Sequence, residues 1–158
     1  MKAIVNWKDK LEFVGTADTT SFPVQMDSVS VANGGNGASP MELIAIGLAG
    51  CSAMDIISIL QKKQQKVNSF DIQVDAERAS EHPKVYTGAV VTYIVTGSGV
   101  EENALLRAIE LSITRYCSVH AMLSQAFPID VRYEIYEEEE NGDKRLVHQG
   151  AWQELPQE

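Results

Sequence analysis

The segment that most constrains this chain opens at Ser39-Pro40-Met41-Glu42. A serine N-cap, a proline in the first helical position and an acid in the first turn mark a helix start. The hydroxyl can accept an orphan backbone N–H, and the acid meets the positive end of the macrodipole. Leu43 to Met54 then runs for twelve uncharged residues between Glu42 and Asp55. The helix is expected over residues 39–66, with Lys62, Lys63 and Lys66 near its C-terminal end. Leu43, Ile44, Ile46, Leu48, Met54, Ile56, Ile57, Ile59 and Leu60 put apolar side chains on almost every face. Such a helix must be covered nearly all round. The uncharged run is shorter than the roughly 20 residues a bilayer span needs, so a buried helix and no membrane partner are expected. The sheets of one 158-residue copy are not expected to cover it, so a dimer that buries it is.

The flanking sequence reads as strands. Lys2–Lys8, Leu11–Thr16 and Phe22–Asp27 form an expected meander within residues 1–38, followed by a loop at Ser30 to Ala38 around Asn33-Gly34-Gly35-Asn36-Gly37. Residues 68–97 hold a strand pair, Asp71–Arg78 and Lys84–Thr96, closed by Gly97-Ser98-Gly99. Residues 101–127 hold a second helix with a break expected near Tyr116-Cys117. Residues 129–153 hold a hairpin, Ile129–Tyr136 and Lys144–Trp152, around Asn141-Gly142-Asp143. Strands, helix, strands, helix, strands describe an α+β domain, with no repeat or linker dividing residues 1–158. Trp7 and Trp152 read as sheet packing.

Thirteen bases against 22 acids leave a net charge of −9. That balance excludes the basic patch a nucleic-acid partner would need. Over half of it lies in residues 137–158, seven acids against Lys144 and Arg145, which reads as a solvated edge. Met1 to Asp9 has no apolar core of signal-peptide length, so a cytoplasmic protein with reduced thiols is expected.

Two cysteines remain, Cys51 in the first helix and Cys117 late in the second. At 66 residues apart they form no CxxC motif. Free cysteines are commonly small buried hydrophobes. Here, however, Ala49-Gly50-Cys51-Ser52-Ala53 leaves room around one sulfur, and both thiols lie on central helices where they can meet. No P-loop, GxGxxG or nucleophile elbow is present.

Gly37-Ala38-Ser39-Pro40-Met41-Glu42-Leu43-Ile44-Ala45-Ile46-Gly47-Leu48-Ala49-Gly50-Cys51 resembles the first cysteine motif of the OsmC/Ohr proteins. Arg107-Ala108-Ile109 with Tyr116-Cys117-Ser118-Val119 resembles the second. His82-Pro83-Lys84 and Gly97 stand where the OsmC-like branch has them. The resemblance spans about residues 2–138 and implies an intertwined homodimer with the two central helices back to back. It implies thiol-dependent reduction of organic hydroperoxides, with Cys51 peroxidatic and Cys117 resolving, a dithiol reductant, and no cofactor or metal. In the best-characterised peroxidases of that family, an N-terminal arginine and a glutamate ten residues before the cysteine activate the thiol. Here residue 41 is methionine, the acid is Glu42, and the first arginine is Arg78.

Helix geometry sharpens the departure. Nine residues put Glu42 opposite Cys51 and about 13.5 Å away along an unbroken helix. Glu42 can therefore act on Cys51 only from a partner chain; otherwise it serves the helix dipole. Asp55 follows Cys51 by one turn, and a buried carboxylate there asks for a partner. Arg78, Arg107, Arg115 and His120 are the candidates, and Arg78 is the favoured replacement cation. Zinc ligation by Cys51, Cys117, His120 and His82 is the least favoured reading. Ile44, Leu48, Met54 and Met122 would favour a peroxide with a hydrocarbon tail. The alternative is a binder or sensor of small apolar or electrophilic molecules.

Overall fold

The structure, a computed structural model, describes residues 1–28, 36–139 and 142–153. Most of the expected loop at 30–38, and Asn141 of the expected turn, lie outside the described residues. The chain divides into two compact units, Met1–Ile46 and Gly47–Glu158.

The first unit is a three-stranded antiparallel meander of β1 (Ala3–Asp9), β2 (Glu12–Ala17) and β3 (Thr20–Met26). The register pairs Val5 with Gly15 and Trp7 with Phe13. All of β1 is exposed, so Ile4, Val5 and Trp7 present apolar surface to solvent. Among the described residues Trp7 is left 65% exposed, and its indole N–H donates to the Lys10 carbonyl at 3.1 Å. A bridge from Met26 to Ala38 leads into α1 (Pro40–Lys62). Gly37 is required there, since a Cβ would overlap the Gln25 backbone.

In the second unit the rest of α1 buries Leu48, Ser52, Ile56 and Leu60, one stripe spaced four residues apart. Ile44, Ile46 and Met54 stay exposed, so the chain by itself covers a single face of the helix. At 23 residues α1 is long and apolar enough to cross a membrane by length and composition alone, a test that a buried core helix also passes. The helix ends at Lys62, short of residue 66. Gln64 takes a left-handed conformation at φ 58, and the Gln65 N–H returns to the Leu60 carbonyl at 3.0 Å.

Four strands follow in the order β4 (Lys66–Arg78), β5 (Tyr86–Ser98), β6 (Ile129–Glu138) and β7 (Lys144–Trp152). β4 begins earlier than the Asp71 start read from the strand pattern. Gly97 permits this, because any Cβ there would overlap the Lys66 carbonyl oxygen. β5 and β6 are parallel, so their connection must cross over, and it carries the second helical region. Val91, Tyr93 and Val95 of β5, with Val131, Tyr133 and Ile135 of β6, form the buried face. Against it pack Ile56 and Leu60 of α1 and Leu105, Ala108 and Ile109 of α2 (Glu102–Leu111). Trp152 packs at the edge of this core.

The second helical region is not one helix. After α2 comes a π-helical turn, Ser112–Tyr116, and then α3 (Ser118–Leu123). The widened turn drops Cys117 out of helical geometry, to φ −73 and ψ 98, at the N-cap of α3. Such turns are a recurrent way of re-aiming one side chain.

Candidate active site: two thiols beside a carboxylate

Cys51 and Asp55 are one turn apart on α1 and so share a face. The π-helical turn brings Cys117 to the same place. The sulfurs of Cys51 and Cys117 and a carboxylate oxygen of Asp55 all lie within 4.8 Å of one another. Cys117 is buried at 2% exposure while Cys51 is half-buried, so solvent and small molecules reach the pair from the Cys51 side.

Opposing influences act on Cys117. Its sulfur caps α3, accepting from the His120 backbone N–H at 3.3 Å, and that bond favours the thiolate. Burial opposes it most strongly, and the hydrogen bond to the Cys51 sulfur adds to burial. Burial wins, and the thiol is pushed up to about 12. Cys117 is held protonated across the neutral range.

The Asp55 carboxylate accepts from the Ser112 hydroxyl at 3.2 Å. Ser52, fully buried beneath Cys51, bonds the Leu48 and Ala49 carbonyls at 3.1 Å. Tyr93 rises from the sheet to share a hydrogen bond with Ser52. Burial, followed by the neighbouring Cys117, Asp55 and Cys51, holds its phenol up at about 12.

These thiols stand in the two segments that carry cysteine motifs, and residues 33–132 match the family model described as OsmC-like protein. The chain belongs to the OsmC-like family. It is 38% identical over 135 residues to Protein YhfA of Escherichia coli strain K12, across 85% of this chain and 98% of that one. The crystal structure of a hypothetical protein from Aquifex aeolicus VF5 is similar at 28% identity and TM-score 0.76, over 87% of this chain and 97% of that one. The organic hydroperoxide resistance protein OhrB of Bacillus subtilis shares the fold at 17% identity and TM-score 0.55, over 85% of this chain and 98% of that one.

The other candidate residues have partners of their own. Glu42 closes a capping box, accepting from the Ser39 N–H at 2.6 Å while its own N–H donates to Ser39 Oγ at 3.3 Å. The Ser39 bond holds its carboxyl below the usual range, on an exposed turn. Arg78 is exposed, and its Nε donates to the Lys84 carbonyl at 3.0 Å. Arg107 pairs with Glu110 at 2.7 Å, and Arg115 lies over the Tyr116 ring at 5.5 Å. The His120 ring, pushed down by burial, bonds the Ile113 carbonyl. None of the four candidates pairs with Asp55; its partner is the neutral Ser112. Of the residues in the least favoured zinc reading, His82 is exposed and His120 does not join the ligand group that Cys51, Asp55 and Cys117 form. Leu48 is core, while Met54 and Met122 are exposed.

Ser112 and Tyr93 escaped sequence reading. Tyr93 sits in an ordinary alternating strand, and only the tertiary fold points it at Ser52. Ser112 carried one usable signal, a hydroxyl five residues before Cys117 on a helix already expected to break.

Proposed function

We propose that this OsmC-like protein is a thiol-dependent peroxidase that reduces organic hydroperoxides in the cytoplasm and works as a homodimer. The observation that carries the reading is the approach of the Cys51 and Cys117 sulfurs within 4.8 Å, close enough for a small movement to join them. The half-buried Cys51 is the attacking group. Its thiolate displaces alkoxide from the peroxide O–O bond, leaving Cys51 as sulfenic acid, and the alkoxide takes a proton to become alcohol. The proton that Cys51 gives up leaves through the solvent on its half-buried side. The Cys117 thiol condenses with the sulfenic acid, forming the disulfide and releasing water. A dithiol reductant then returns both thiols and is itself oxidised to a disulfide. Dimerisation is supported by the apolar surface left open on α1 and β1, at Ile44, Ile46, Met54, Val5 and Trp7.

The test is thiol titration before and after one equivalent of cumene hydroperoxide. Rapid loss of two thiols per chain, abolished by Cys51→Ser, is the expected outcome; survival of both thiols overturns the peroxidase. One observation favours the second reading, a sensor or binder of electrophiles whose thiols react without efficient turnover. Among the described residues no cation pairs with the carboxylate at the dithiol, and a thiolate without a nearby cation forms less readily. Oxidation that stops after one equivalent, with dithiol reductant in excess, selects that reading.

A further inference from the structure

We propose that the reduced Cys51–Asp55–Cys117 cluster binds one thiophilic divalent cation of the zinc class. The ligand set comes first. Two sulfurs and one carboxylate oxygen converge within 4.8 Å of each other, from two separate elements of the second unit. Around a tetrahedral zinc with Zn–S bonds of about 2.3 Å, two sulfurs stand roughly 3.8 Å apart. The observed cluster reaches that spacing with side-chain movements of about 1 Å or less.

The surroundings are built for ligation. Ser112 donates to Asp55 and orients the carboxylate, the outer-shell arrangement that fixes metal ligands. Cys117 is held by the π-helical turn and by the His120 N–H, so its sulfur needs no large rearrangement. The half-buried Cys51 leaves a path of entry and room for a fourth ligand from solvent. Thiolates favour zinc-like ions, whereas magnesium and calcium want oxygen ligands throughout.

Charge supplies the second argument. The Asp55 carboxylate sits beside two thiols, and among the described residues no arginine, lysine or histidine pairs with it. A dication entering the cluster displaces the two thiol protons to solvent, so the cluster's net charge is the same before and after. The exchange therefore adds no uncompensated charge to a partly buried site. A bound cation occupies the same two sulfurs a disulfide would use, so metal-bound and oxidised forms exclude one another.

Chelator-treated, fully reduced protein is titrated with cobalt(II), whose thiolate charge-transfer band reports sulfur ligation, and zinc is then added to displace it. The expected result is one equivalent per chain and loss of the band on oxidation of the dithiol. Ser112→Ala should weaken binding about 10-fold or more, and Asp55→Asn by at least as much, with far-ultraviolet circular dichroism confirming that each variant folds. Absence of the band while both thiols titrate as free overturns the proposal. So does binding that is unchanged in Asp55→Asn, or binding lost instead in His120→Ala. No peroxide enters this measurement, so its failure is distinguishable from failure of the peroxidase reading.

Discussion

The protonated state of Cys117 can be tested through stability on the alkaline side. Its thiol is pushed up in the folded chain from 9.0 to about 12, chiefly by burial. Below pH 9 both folded and unfolded chains hold the proton, and Cys117 makes stability neither rise nor fall. Above pH 9 the unfolded chain releases the proton while the folded chain keeps it. Stability is therefore lost as pH rises, through a window that closes near pH 12. Between pH 8 and pH 10 the unfolded thiol crosses its midpoint, and the integrated effect is close to one unit, about 1.4 kcal/mol. The assay is urea unfolding at pH 8 and pH 10 in a non-thiol reductant, on the wild type and on Cys117→Ser. Wild type should lose about 1.4 kcal/mol more than the variant over that interval. Tyr93, raised from 10.0 to about 12 chiefly by burial, contributes to both proteins, and only the smaller part of its shift that Cys117 causes survives the comparison. Equal losses would mean that Cys117 ionises in the folded state as readily as in the unfolded chain. The assignment of Cys51 as the attacking thiol would then rest on its exposure alone.

Three further outcomes follow. Leu60→Ala removes a side chain with 0% exposure from the core of the second unit and should cost about 2–5 kcal/mol in chemical denaturation. Ser39→Ala removes the hydroxyl half of the capping box and should cost about 1 kcal/mol, read in the same way. Met54→Asp places a charge on the exposed apolar face of α1; light scattering should report a monomer near 17.3 kDa, with helix content unchanged.

Much of the secondary structure was legible because it rests on local chemistry. Ser39, Pro40 and Glu42 announced α1, and the capping box they form is a contact between residues three apart. Val91, Tyr93 and Val95 alternated in the sequence, and they alternate into the core. The end of α1 was misplaced because nothing in Lys62-Lys63-Gln64-Gln65 marks Gln64 as the left-handed residue. The start of β4 was misplaced because its first pairing depends on Gly97, which is distant in sequence. Cys51 and Cys117 were legible as a pair through the resemblance of their flanking motifs. The partner of Asp55 was not: the expectation named cations, as a buried acid usually demands, and the fold supplied Ser112.

By itself the sequence determined an apolar helix beginning at Ser39, two cysteines on central segments, and no arginine before residue 78. Those are properties of composition and of spacings within one element, where period and capping decide the outcome. Tertiary structure alone decided which side chains converge. A π-helical turn dropped Cys117 toward Cys51, placed Ser112 on Asp55, and left the thiol pair beside a carboxylate that no cation among the described residues pairs with. The physical reason is that a widened turn is local in the backbone but redirects every residue after it, so its effect appears only once distant elements pack.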